Sequence, residues 1–332
     1  MNFIYLLSDA MYKKCFSSLL IMGLIVGCGA KDTAITLDKN SAPNIAACGV
    51  APSGNYTADR IPHTEVMGDF QGLYEGPVWV KDALYYSHFS FERGFPSRIL
   101  RLKDDREVSV MVKSSGSNGL TLDHEGSLVA AAHAVKGLLR FDRNTGDQTI
   151  LIDSFEDNPF NSPNDLTFTR SGVAYFTDPD FQKSAAPGGQ PVTGVYQVKE
   201  GKATLIDGSI RNPNGIALSA DETKLYVAGG EDNGVLREYT LAQDKVVSQR
   251  DLVSNVKVPD GLTVDCHGNI YVTEHSSQQV RVFTSEGKQI ATIKTDANVT
   301  NATFGGVDGT TLYLTGAGVL WKMSLDVTGI SK

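Results

Sequence analysis

The sequence predicts an all-β fold, a six-bladed β-propeller whose last blade is completed by a strand from the N-terminal side. Two observations carry this. Six stretches recur at a period of about 45 residues, and each repeat holds about four short β-rich runs. No long stretch with a 3.6-residue apolar period interrupts them.

The repeats begin at Glu75-Gly-Pro-Val-Trp79, Asn118-Gly-Leu-Thr-Leu-Asp123, Asn164-Asp-Leu-Thr-Phe168, Asn214-Gly-Ile-Ala-Leu218, Asp260-Gly-Leu-Thr-Val-Asp265 and Asn301-Ala-Thr-Phe304. Their first residues are 43, 46, 50, 46 and 41 positions apart. Most are followed by a turn signal, such as His124-Glu-Gly126 or Cys266-His-Gly268, and then by a second run such as Val173-Ala-Tyr-Phe-Thr177. A third run alternates (Gln279-Val-Arg-Val-Phe283) and a fourth follows (Thr149-Ile-Leu-Ile152). The last unit supplies three strands. Thr64-Glu-Val-Met-Gly-Asp69 is left over upstream and is expected to pair as the outer strand of the last blade, covering edges that would otherwise stay open. The propeller is therefore expected over residues 63–332.

Ahead of it, Lys13 and Lys14 precede the apolar run from Ser18 to Gly27, which is too short and Gly-rich for a stable membrane span. Leu24-Ile-Val-Gly-Cys28 resembles a bacterial lipobox. The resemblance implies a lipoprotein signal over residues 1–28 with Cys28 lipidated, and a tether and irregular lead-in over residues 29–62. Gly29 in place of Asp implies outer-membrane retention on the periplasmic face in a Gram-negative envelope, so the membrane is met only through the lipid. The net charge of −8 argues against a nucleic-acid surface. Cys48 and Cys266 remain outside the targeting segment, and an envelope location permits a disulfide between them. A monomer or weak dimer is expected.

Position in the repeat then becomes chemistry. The innermost strands all start at one mouth of the central channel, which gathers Glu75, Asn118, Asn164, Asn214, Asp260 and Asn301 there. Asn and Asp often cap turns through their own backbone, but Glu75 is a poor turn former and no position carries Ser or Thr. Six oxygen-bearing side chains form a ring of hard donors, suited to Ca²⁺, with Mg²⁺, Mn²⁺ or Zn²⁺ as alternatives. The second strand of each blade returns to the same mouth, where it is expected to place His88, His133, Asp178 and His275 in a flanking polar pocket. Two excursions rise from these strand ends. One is Phe89-Ser-Phe-Glu-Arg-Gly-Phe95, in which Phe91, Arg93 and Phe95 are candidates to wall the pocket; the other runs from Phe181 to Thr193.

The runs Tyr74-Glu-Gly-Pro-Val-Trp79, Asn161-Ser-Pro-Asn-Asp-Leu166, Tyr175-Phe-Thr-Asp-Pro179, Asn212-Pro-Asn-Gly-Ile216 and Pro259-Asp-Gly-Leu-Thr-Val-Asp265 resemble the family of gluconolactonase, senescence marker protein-30 and luciferin-regenerating enzyme. That resemblance implies a metal held by Glu75, Asn214 and Asp260, with Asn164 on the metal or the substrate beside it. It implies hydrolysis of a sugar-type lactone, with Asp260 as proton acceptor; Asp178, which lies in the flanking ring and need not ligate, is the second candidate. Asn118, His88, His133, His275, Arg93 and Asn301 are left to contact substrate. No Gly-x-Ser-x-Gly elbow is present, which argues against a serine hydrolase. Two alternatives remain open: an organophosphate or aryl-ester hydrolase on the same metal site, and a non-catalytic envelope propeller that binds a carbohydrate or protein.

Overall fold

A computed structural model describes residues 48–65 and 72–330 of the chain. Six antiparallel sheets stand around a common axis. Their innermost strands are Gly72–Val80, Ser117–Leu122, Leu166–Phe168, Pro213–Leu218, Pro259–Val264 and Val299–Gly305. Blade 1 shows the pattern: Gly72–Val80, Ala83–Ser90, Ser97–Lys103 and Glu107–Val112 pair in chain order, each hydrogen-bonded to the next. Burial falls from the axis outward, from a nearly fully buried second strand to a largely exposed fourth.

The turn signals act through their side chains. In blade 5, Asp265 Oδ1 accepts the amides of His267 and Asn269, both at 2.9 Å, and Gly268 closes the turn in the left-handed region at φ 80°. Asp123 does the same in blade 2 for Glu125 and Ser127. A short polar side chain thus replaces the missing backbone partner at each bend.

The apolar core is divided among the seams between blades. Val78, Leu120, Leu128, Leu139 and Phe141 fill one such seam, and Leu138, Phe160, Phe176 and Tyr196 belong to the next. Ring closure is made by the N-terminal segment, further upstream than the sequence indicated. Gly54–Thr57 lies parallel to Gln289–Lys294 and gives blade 5 a fifth strand. Asp59–Arg60 then pairs antiparallel with Leu320–Ser324, with Asp59 opposite Lys322, and completes blade 6. Asp59–Arg60 thus takes the place expected for the segment starting at Thr64; Thr64 and Glu65 are outside any strand, and the rest of that segment lies outside the described residues. The physical reason is local. Ile61 follows the short strand at once, and its fully buried side chain packs with Tyr74, Tyr86 and Leu320 across the blade 6–blade 1 seam.

Cys48 and Cys266 form a disulfide that ties this segment to the first turn of blade 5, across 218 residues of chain. Cys28 and the segment read as a lipoprotein signal lie outside the described residues. No helix among the described residues is long and apolar enough to cross a membrane. Replacing both Cys48 and Cys266 by Ser should lower unfolding stability by about 2–5 kcal/mol, as expected when a long-loop cross-link is lost. Equilibrium denaturation with and without reductant checks this, and the double variant should be insensitive to the reductant.

Candidate active site

The six innermost strands approach one another closely at the axis. A Cβ on Gly76, Gly119 or Gly215 would collide with backbone of the neighbouring blade, and one on Gly261 would collide with the Asn301 side chain. These glycines follow ring residues directly, so their lack of a side chain lets the ring close around its polar groups. All six ring residues are buried.

Glu75, Asp165 and Asp260 gather on the axis. Glu75 Oε2 accepts the Gly76 amide at 2.9 Å and Asn301 Nδ2 at 3.3 Å. The same Asn301 nitrogen donates to Asp165 Oδ2 at 3.3 Å, so one amide bridges two carboxylates. Burial pushes the Glu75 carboxyl well above the usual range; the charges of Asp260 and Asp165 add to this, while the Gly76 amide and Asn301 oppose it. Burial also raises Asp260, against hydrogen bonds from His275 and Asn214. His275 Nδ1 stands 3.2 Å from Asp260 Oδ2. Burial alone would lower the imidazole pKa, but contact with Asp260 outweighs it and the pKa rises.

Asp165 was not singled out from the sequence. It occupies the position where four other blades carry glycine, and the absent side chain of Gly119 makes room for it. A charged residue at a position otherwise held by glycine or alanine was the available signal.

The flanking residues divide. Only His275 keeps partial exposure at the mouth. His88 is fully buried within its strand, edge-on to Tyr74 at 4.8 Å and 3.1 Å from Arg98 Nη2. His133 is also fully buried; its Nε2 donates to the Phe95 carbonyl at 2.8 Å, and burial lowers its pKa to about 4. It packs edge-on against Phe89 and Phe95 as a neutral ring that holds the first excursion in place. Asp178 is committed on both oxygens, accepting the amides of Asn161 at 2.8 Å and Ser162 at 2.7 Å. Burial raises its pKa to about 7, opposed by those amides and by Lys136 and Lys183. The geometry makes Asp178 an anchor for the segment that delivers Asn164, and it lacks the free flank expected of a proton acceptor. Arg93 is exposed on the rim.

A cavity of about 930 Å³ enters from the face opposite the strand starts and reaches Gly76, Asp165 and Asn301 at its inner end. Glu75, Asn118, Asn164, Asn214 and Asp260 do not line it, so size alone would misplace the chemistry.

The residues fit a hard divalent cation. Two like-charged carboxylates are forced together out of water, which a cation relieves, and the buried Asn118 Oδ1 lacks a hydrogen-bond partner. Among the described residues no three His, Cys, Asp or Glu side chains converge closely enough to hold a metal by themselves. A cation here would therefore draw on asparagine carbonyls as well.

Fold and site together define a six-bladed propeller with a buried carboxylate cluster at the start of its innermost strands. The chain belongs to the SMP-30/Gluconolactonase/LRE-like family, whose profile matches residues 73–318. It is 29% identical over 273 residues to a gluconolactonase of Zymomonas mobilis, covering 72% of this chain and 75% of that one. It is 26% identical over 262 residues to a pentonolactonase of Haloferax volcanii, covering 77% and 85%. Among solved structures, a gluconolactonase of Xanthomonas campestris superposes with a TM-score of 0.69 at 27% identity, covering 84% of this chain and 100% of the other. The calcium-binding protein regucalcin of Agrobacterium tumefaciens shares the fold, with a TM-score of 0.68 at 20% identity over 85% of this chain and 98% of that one.

The three raised carboxyls bind protons more tightly in the folded than in the unfolded chain. Their contribution is therefore greatest at low pH and is lost as pH rises, between about 4 and 7 for Asp178. His133, with its pKa lowered to about 4, contributes in the opposite sense as pH rises, so in EDTA a His133→Gln variant, which removes that offset, should show a melting temperature that falls from pH 5 to pH 8. Adding Ca²⁺ at pH 8 should restore it, since a cation held there would take the place of the protons on Glu75 and Asp260. Thermal scans at both pH values, with and without Ca²⁺, check both signs.

Proposed function

We propose that this protein is a divalent-metal-dependent lactonase acting on a sugar-type lactone at the cell envelope. The observation that carries the reading is the pairing of Glu75 and Asp260, two buried carboxylates whose charges bear on one another, beside the Asn214 amide and His275. A pure binding module has no need for such a cluster, since each buried like charge costs stability. The lactonase names among its relatives support a hydrolase of this general kind.

Glu75, Asn164, Asn214 and Asp260 would hold the cation. When bound, it supplies Lewis-acid polarisation of the ester carbonyl and offsets the charge that develops on its oxygen. Asn118 lines the same ring and would orient a substrate hydroxyl, while Asn301 holds Glu75 and Asp165 together. Asp260 accepts a proton as water adds to the carbonyl carbon, and the neighbouring His275 fixes the orientation of its carboxylate. The ring C–O bond then breaks, the leaving alkoxide takes up that proton, and a hydroxy acid departs.

The envelope location rests on the lipobox-like Cys28, and the Cys48–Cys266 bridge supports it, because such bonds persist in oxidising compartments. Cys28→Ser should move the protein out of the membrane fraction and leave turnover of the purified protein within about twofold, as for a change well ahead of the propeller in the sequence. Fractionation and a turnover assay on the same preparation check both halves.

Asp260→Asn separates chemistry from ligation. It should weaken Ca²⁺ binding and lower turnover of D-glucono-1,5-lactone by about 10²–10⁴-fold, the scale of losing a positioned acid–base group. Saturating Ca²⁺ should repair binding and leave most of the rate loss. Full recovery at high Ca²⁺ would confine Asp260 to ligation, and unchanged activity in EDTA would remove the metal from the mechanism.

A further inference from the structure

Five of the six ring residues lie inside their innermost strands. Glu75 and Asn301 are paired with the second strand, and Asn118, Asn214 and Asp260 are flanked on both sides by residues that are. Asn164 differs. The innermost strand of blade 3 is the shortest of the six, Leu166–Phe168, and begins two residues after it. The Asn164 amide donates to the Thr177 carbonyl at 2.9 Å, and there the sheet ends. Upstream, Asn161-Ser-Pro163 belongs to no strand, yet all three residues are buried. Ladder pairing therefore does not fix the approach to Asn164.

Charged side chains do so instead. Asp178 accepts the amides of Asn161 at 2.8 Å and Ser162 at 2.7 Å. Ser162 Oγ in turn donates to the Pro179 carbonyl at 2.6 Å and accepts the Gln182 amide at 3.2 Å. From the turn of blade 2, Lys136 Nζ donates to the Asn161 carbonyl at 2.7 Å and to the Lys183 carbonyl at 2.9 Å. One residue, Asn161, is thus held at its amide by an anion of its own blade and at its carbonyl by a cation from the next. The same turn reaches blade 1 through His133 and the Phe95 carbonyl, so both excursions that make the mouth asymmetric are tied to it.

Lys136 is costly where it stands. Its side chain is only 2% exposed, and its backbone is left-handed at φ 55°. A buried ammonium is tolerated only when its partners are in place, and a strained non-glycine residue persists when its surroundings require it. The turn itself does not demand this. Gln278, which likewise precedes the third strand in blade 5, has the same left-handed backbone at φ 54° with an exposed side chain.

We propose that Lys136 is a positioning residue for the cation at the ring: across the blade 2–blade 3 seam it holds Asn161–Asn164 in register and thereby sets the Asn164 side chain. The inference rests on the reading of the ring as a cation site with Asn164 among the donors. Partners that orient a ligating side chain in this way are worth about 10–100-fold in metal affinity.

The test is a double-mutant cycle on the full chain, read by calorimetric titration with Ca²⁺ and independent of turnover. Lys136→Met should raise the Kd for Ca²⁺ by about 10–100-fold. In an Asn164→Ala background the same substitution should change the Kd by less than about twofold, because the side chain it positions is gone. In an Asn214→Ala background, where the missing donor belongs to another segment, the full factor should return. Equal factors in both backgrounds would mark a general loosening of the fold and overturn the inference, as would an unchanged Kd in Lys136→Met. If Lys136→Met does not fold because Asp178 is left without its partner charge, Lys136→Met/Asp178→Asn removes both charges and the cycle is run on that pair. Hydrogen exchange separates this inference from the cation reading. In EDTA, Lys136→Met should speed exchange of the Asn164 amide about tenfold or more and leave that of the Asp265 amide in blade 5 unchanged. Wild type that binds no Ca²⁺ while the Asn164 amide behaves in this way would sink the cation reading alone. An Asn164 amide as protected in the variant as in wild type would overturn the positioning role.

Discussion

Every feature of the site depends on how closely six innermost strands can approach one axis. Polar side chains at their starts are driven into a volume from which bulk water is excluded, and the charged form of a carboxylate is costly there. The molecule tolerates this because neighbouring strands share the work. Asn301 bridges Glu75 and Asp165, Asn214 bonds Asp260, and backbone amides cap what remains. Glycine at four of the six following positions permits the approach, and side chains larger than hydrogen there would push the ring apart.

That arrangement is held from outside by a propeller whose stability is distributed. Each seam between blades is a separate apolar layer, so no single core centre fixes the axis. Closure fixes it instead. A segment of seven residues, 54–60, lies across the edges of blades 5 and 6, and the disulfide anchors it at its start. The same segment leads to Ile61 in the blade 6–blade 1 seam, and opening that seam would let the first and last innermost strands separate, and with them Glu75 and Asn301, which meet across it.

The polar groups of the upper face serve two ends. Asp178 and His133 read as site residues because they are ionisable and fall at strand ends; Lys136, which the sequence did not single out, lies beside them. In the structure they fasten loops, and their buried hydrogen bonds to backbone explain why those positions are not apolar. Only the Asp260–His275 pair couples a titratable flank directly to the ring. The asymmetry of the mouth follows from the same fastening, since the anchored excursions belong to blades 1 and 3.

The repeat determined the blade number, and repeat position alone brought Glu75, Asn164, Asn214 and Asp260 to one place, because equivalent residues of a closed ring must converge. The turn chemistry of Asp123 and Asp265 was likewise local and legible. Tertiary structure decided what periodicity does not encode. Asp165 joins the cluster because Gly119 of another blade leaves it space, a relation between residues 46 positions apart. Closure falls to Asp59–Arg60 because the burial of Ile61 sets the register, and a two-residue strand carries no pattern of its own. Whether a histidine at a strand end faces the channel or the protein depends on what packs over it, and for His88 and His133 that was Tyr74, Phe89 and Phe95.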